Sequence, residues 1–201
     1  MKKRILALAL TLALCASFPA LAQNASSIPM KNFTYADWGL SIDAPEPWRY
    51  EETGTLPPKS NRPFKPTTDT LSSKDTFYLG TWTADSSEQS PWIRLRIYYT
   101  SAGTVERIAG VKDKMMNMYV QRTSTAAMPY QAGTFEILPC GENEWACFSM
   151  TATALDKEYV LWNFVLPFKK TVVQMEGFGP VQGDVDIKQV LTEMAATASV
   201  K

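Results

Sequence analysis

Between residues 135 and 178 the chain divides into four runs, 135–138, 146–154, 159–168 and 171–178, each rich in aromatic and β-branched residues. The separators Gly141-Glu142-Asn143, Leu155-Asp156-Lys157-Glu158 and Lys169-Lys170 are too short to carry a crossover helix. Consecutive runs must therefore pair antiparallel as hairpins, and any fold must be built around this meander. Upstream, residues 92–100 (WIRLRIYYT) alternate Ile93, Leu95, Ile97 and Tyr99 with Arg94, Arg96 and Tyr98, a strand with one face in the core and the other in water. Residues 33–35, 40–43 and 77–83 read as further short strands, the first two joined by a turn at Gly39.

Two stretches change period. Across residues 105–122, Ile108, Val111, Met115 and Met118 recur at three and four residues, one apolar stripe of a helix, with Gly110 weakening its first turns by about 1 kcal/mol against alanine. Residues 184–198 predict a closing helix, with Asp186 and Gln189 as an N-cap pair and Ile187, Val190, Leu191 and Met194 on its apolar face. Neither an internal repeat nor an interdomain linker is visible. The expected class is α+β, an antiparallel sheet with two main helices packed on it.

Residues 1–22 have the form of a secretory signal: Lys2, Lys3 and Arg4, an apolar run over 5–16, then Ala20-Leu21-Ala22 as the small-x-small site for signal peptidase. Cleavage after Ala22 leaves one globular domain, residues 23–201, in the periplasm or outside the cell. No later apolar run reaches the roughly 20 residues needed to span a membrane as a helix. Acylation at Cys15 is disfavoured because bulky Leu14 precedes it, where a lipobox requires a small residue. Losing three basic residues takes a formally neutral chain to a net charge of −3, which speaks against a nucleic-acid partner.

Cys140 and Cys147 then remain. An even count in an exported chain reads as a disulfide, here expected across the base of a hairpin turning at residues 141–143, with a loop-entropy contribution of about 2.5 kcal/mol. Redox C-x-x-C spacing is absent. Histidine is absent altogether, which removes Ser-His and Cys-His activation and nearly every zinc or copper(II) site. G-x-S-x-G, S-x-x-K, G-x-G-x-x-G and P-loop motifs are also missing. No catalytic residue and no cofactor are therefore expected.

Residues 53–75 contain Pro57, Pro58, Pro63 and Pro66, which bar an interior strand or helix, while Leu56, Phe64 and Leu71 supply apolar anchors suited to a partner. Arg94 and Arg96 project from one strand face and can grip a carboxylate or phosphate, or form a solvated face stacked on aromatics such as Tyr98. Met115, Met116, Met118 and Met128 could gather for copper(I), but the stripe places Met115 and Met118 in the core. Asp184 and Asp186 fit helix capping better than a calcium loop, because Lys188 occupies the next alternate position. Glu142 and Glu144 sit at a hairpin tip, with little to desolvate them.

The segment Tyr35-Ala36-Asp37-Trp38-Gly39-Leu40-Ser41-Ile42-Asp43-Ala44-Pro45-Glu46-Pro47-Trp48 resembles the opening of PsbP-like domains, which often begin with a glycine-led strand ending in Pro and then Trp. The resemblance implies an α/β/α sandwich and an accessory or binding role, and it carries over no catalytic residues. The proline-rich insertion and the two cysteines depart from that pattern. The resulting expectation is a non-catalytic exported domain that binds an envelope protein or a small ligand. Two other classes remain open, an immunity-type inhibitor of an envelope-targeting toxin and a histidine-independent hydrolase using carboxylates or a serine.

Overall fold

In the computed structural model the described residues are 28–52, 76–85, 87, 90–99, 103–168 and 171–201. Residues 1–22, expected to be a signal, and residues 53–75, with Leu56, Phe64 and Leu71, lie outside them. Strands β1 (Met30–Tyr35), β2 (Leu40–Pro45) and β10 (Ser199–Val200) form a small sheet in the order β1-β2-β10. The large sheet takes β3 (Arg49–Glu51), β4 (Thr76–Thr83), β5 (Trp92–Tyr99), β6 (Tyr130–Cys140), β7 (Asn143–Ala154), β8 (Lys157–Phe168) and β9 (Thr171–Pro180) in the order β3-β4-β5-β9-β8-β7-β6. Every pairing between neighbouring strands is antiparallel. The meander is present, and β9 turns out to be the strand that joins it to β5.

The apolar alternation of each strand decides what lies on each side of the large sheet. Ile93, Leu95 and Ile97 of β5, Val173 and Met175 of β9, and Phe164 and Leu166 of β8 share one face, which packs on the small sheet and on α3 (Ile187–Thr197). On the helix, Ile187, Val190, Leu191 and Met194 are all buried, as their spacing predicts. Gly177 lets α3 approach this closely, because a Cβ there would meet Ile187 Cγ2 at 2.7 Å and Leu191 Cδ1 at 2.9 Å. The Asp186 carboxylate accepts a hydrogen bond from the Gln189 backbone N–H at 3.1 Å, the expected N-cap. The opposite face carries α1 (Val105–Gly110) and α2 (Lys112–Thr123) over Ala146, Phe148, Val165 and Val172. The layers make the α/β/α sandwich expected from the PsbP-like resemblance.

Two expectations need correction. The stretch expected as a single helix breaks at Gly110-Val111, and the break rotates the second half relative to the first. Met116 is consequently the buried methionine, while Val111 and Met118 are 53% and 38% exposed, so the stripe read through Val111 and Met118 does not face the core.

The disulfide also fails. Cys140 and Cys147 are buried free thiols. The turn between β6 and β7 is only Gly141-Glu142, with Cys140 opposite Asn143, so Cys147 lies opposite Glu136. Four residues of strand, about 13 Å at roughly 3.3 Å per residue, separate the two Cα positions along the ladder, well beyond the Cα separation a bridge allows. Gly141 holds the tight turn at φ +60°, and a Cβ there would strike the Ala196 carbonyl oxygen of α3. Burial, then the Glu136 carboxylate, raises the Cys140 thiol pKa. Burial, then Cys140 and Glu136, raises that of Cys147.

Candidate functional site

Antiparallel register brings distant residues into rows across the large sheet. One row runs Phe148, Asn163, Glu176, Arg94, Thr81 and Glu51, from β7 to β3 on the face that carries α1 and α2. A second aligns Val165, Gln174, Arg96 and Tyr78. A third aligns Leu161, Phe178, Trp92 and Thr83. The helices pack on β6, β7, β8 and β9 residues, and the rows emerge from under them onto β5, β4 and β3.

The polar members form one connected network. Arg96 Nη2 donates to Glu176 Oε1 at 2.7 Å and Arg96 Nε to Gln174 Oε1 at 3.1 Å. Tyr119 of α2 reaches down and donates its hydroxyl to the same Gln174 oxygen at 3.1 Å. Gln174 Nε2 donates to Asn163 Oδ1 at 2.6 Å, which fixes both amides. Asn163 is fully buried and its Nδ2 has no partner among the described residues. Burial opposes the charge on Arg96, but Glu176, with Tyr119 and Tyr78, outweighs it and raises the guanidinium pKa. Burial and the Tyr119 hydroxyl raise the Tyr98 phenol, against the pull of Arg96.

Arg94 is held differently. Its Nη1 lies 4.0 Å from Glu176 Oε2, too far for a hydrogen bond. Its guanidinium carbon instead sits 4.9 Å from the Trp92 ring centre and 5.5 Å from that of Tyr78. Trp92 stacks on Phe178 at 5.7 Å and Phe178 on Tyr159 at 5.3 Å. The result is a continuous stack from Tyr159 through Phe178, Trp92 and Arg94 to Tyr78. Such a surface can hold an anion by charge and geometry.

Arg94 and Arg96 therefore do share a face, but they divide its work: Arg96 is consumed by the network and Arg94 is presented on the surface. Their partners Glu176, Gln174, Asn163 and Tyr119 were not visible as a site, although the same-face pair Gln174 and Glu176 mirrors the same-face pair Arg94 and Arg96. Only the adjacency of β5 and β9 connects them. Glu142 occupies the β6–β7 turn and Glu144 faces solvent beside Pro139. Asp186 caps α3. Among the described residues no group of three or more Cys, Asp or Glu gathers as a metal site. A separate surface cavity of about 360 Å³ lies between Lys112, Asp113, Met116 and Asn117 of α2 and Ala132, Gly133 and Phe135 of β6.

Comparison with known proteins supports the class. The fold is PsbP-like, an α+β sandwich built mostly on antiparallel strands. The solution structure of the cyanobacterial PsbP protein CyanoP from Synechocystis sp. PCC 6803 is similar over 87% of this chain and 94% of that one, with a TM-score of 0.58 at 9% sequence identity. LpqN, involved in cell envelope biogenesis of Mycobacterium tuberculosis, is similar over 86% of this chain and 90% of that one, with a TM-score of 0.45 at 11% identity. A Bacteroides thetaiotaomicron crystal structure is similar over 85% of this chain and 48% of that one, with a TM-score of 0.48 at 11% identity. No family model and no curated protein matches the sequence. No helix among the described residues is long and apolar enough to cross a membrane.

Proposed function

We propose that the chain is an exported, non-catalytic binding or accessory domain of the cell envelope, working through the open sheet face around Arg94. The observation that carries this reading is the use made of Glu176. It is gripped by Arg96 at 2.7 Å and lies 4.0 Å from Arg94, so it serves as the counter-ion that fixes the Arg96 guanidinium beneath the ring-held Arg94. A carboxylate so engaged is poorly placed as a general acid or base, whereas a rigid charged platform suits recognition. The signal-like residues 1–22 support export, and the PsbP-like fold agrees with an accessory role.

Two measurements test the reading. Cell fractionation with intact-mass analysis should find a periplasmic or secreted species beginning at Gln23. Photo-crosslinking residues placed at Tyr78 and Thr81, on the open face, should trap a specific envelope protein, while the same residue at Leu155, on the β7–β8 turn, should not. Equal crosslinking from both places, or a purified protein that turns over an envelope substrate, would refute it.

A further inference from the structure

Arg94 is a guanidinium that the fold positions but does not consume. Among the described residues it makes no hydrogen bond, yet it is fixed by the rings of Trp92 and Tyr78, one of which is itself anchored through Phe178 to Tyr159. A guanidinium stacked over rings keeps its N–H edge free, and that edge matches a carboxylate as a two-pronged fork. We propose that Arg94 binds an aspartate or glutamate side chain on an acidic segment of a partner protein. This rests on the open sheet face being the binding surface.

Charge selects the ligand class. Arg94, Arg96 and Glu176 together carry +1, and Arg49 and Glu51 of β3, which face the same side, cancel. One carboxylate neutralises the site. A phosphate group near its second ionisation would set additional negative charge against the Glu176 oxygen 4.0 Å from Arg94. The setting selects the source. Arg94 lies on a sheet face, away from the cavity between α2 and β6, and a single fork there holds a free small acid only at roughly millimolar strength or worse. A protein surface delivers the carboxylate together with further contacts, including the exposed ring of Tyr78.

The test is a titration of the full secreted chain with a blocked peptide of alternating glutamate and glycine, following the Trp92 indole N–H and the Arg94 Nε–H by NMR. Both signals should move, and the glutamine version of the peptide should move neither. Arg94→Gln should weaken binding at least about ten-fold, and Arg94→Lys should not restore it, because an ammonium lacks the fork. Tyr78→Leu, which removes one ring over the guanidinium together with a hydroxyl contact to Arg96, provides a second variant and should weaken binding, while Arg96 keeps Glu176 and Gln174. Acetate should compete better than inorganic phosphate at matched ionic strength. Undiminished peptide binding by Arg94→Gln, or stronger competition by phosphate, would overturn the assignment. If wild-type and Arg94→Gln proteins crosslink the same envelope partner equally well, the site falls and the accessory role stands. If the peptide binds as described but no envelope partner is ever trapped, the site stands and the accessory role falls.

Discussion

Replacing Glu176 with alanine strands a charge. The Arg96 side chain is only 16% exposed, and its charge is balanced by a carboxylate that is 11% exposed. Without Glu176, Arg96 keeps the Gln174 carbonyl oxygen at 3.1 Å but no negative partner at hydrogen-bond distance. Removing one member of a largely buried pair costs about 3 kcal/mol, mainly the desolvation of the remaining charge. For a domain of this size that lowers Tm by about 6–12 °C. Taking both charges away, as Arg96→Met with Glu176→Ala, leaves no orphan and should cost about 1 kcal/mol, giving a coupling of at least about 2 kcal/mol in a double-mutant cycle. Urea unfolding of the four proteins, with a shared slope, measures it. A Glu176→Ala cost below about 1 kcal/mol, or strict additivity in the cycle, would show that Arg96 reaches water and that the network is not the rigid platform described.

Other consequences are independent of the site. Gly141→Ala, which combines φ +60° with a clash against the Ala196 carbonyl, should cost more than about 1 kcal/mol, whereas Gly110→Ala, with nothing within 4 Å, should gain about 0.5–1 kcal/mol; calorimetry of the pair checks both signs. Asp186→Ala removes the α3 cap and should cost about 1 kcal/mol in urea unfolding. Native protein should resist thiol reagents and release two reactive thiols in the mature chain on denaturation, since Cys140 and Cys147 are buried and unbridged. Their folded pKa values are raised by burial, so the folded state keeps protons that the unfolded thiols lose. Stability should therefore decline as pH rises above about 8.5, by at most about 1.4 kcal/mol per pH unit for each thiol, and Cys147→Val should reduce that slope below about pH 10, where tyrosines begin to contribute.

Local pattern made much of this fold legible. The period-two alternation of residues 92–99 and the short turns of the meander identified β5 and β7 to β9, because a sheet with dry faces imposes its pleat on the sequence. The α3 face was equally plain, as Ile187, Val190, Leu191 and Met194 answer to one flat surface. Legibility ended where register or order was set from a distance. The position of β9 between β5 and β8 leaves no local trace, and with it the meeting of Arg96 and Glu176 stayed hidden. The cysteines were misjudged because facing one another would need a six-residue connection over 141–146, whereas β6 and β7 pair right up to a two-residue turn. Val111 and Met118 were assigned to the core because a helix break at Gly110 changes phase without altering composition.

The place of β9 also orders events in time. Strands β3, β4 and β5 precede β9 by more than seventy residues, yet among the described strands they join the rest of the sheet through it. The small sheet waits longer still: β2 is completed by β10 at residues 199–200, and the Lys201 N–H closes on the Gly39 carbonyl at 3.0 Å. An emerging N-terminal third therefore has a hairpin's worth of pairing and no closed core, and a topology so dominated by distant contacts folds slowly, in the range of about milliseconds to seconds. Until residues 199–201 are available, the small sheet therefore lacks its third strand and the edge of β2 stays unpaired.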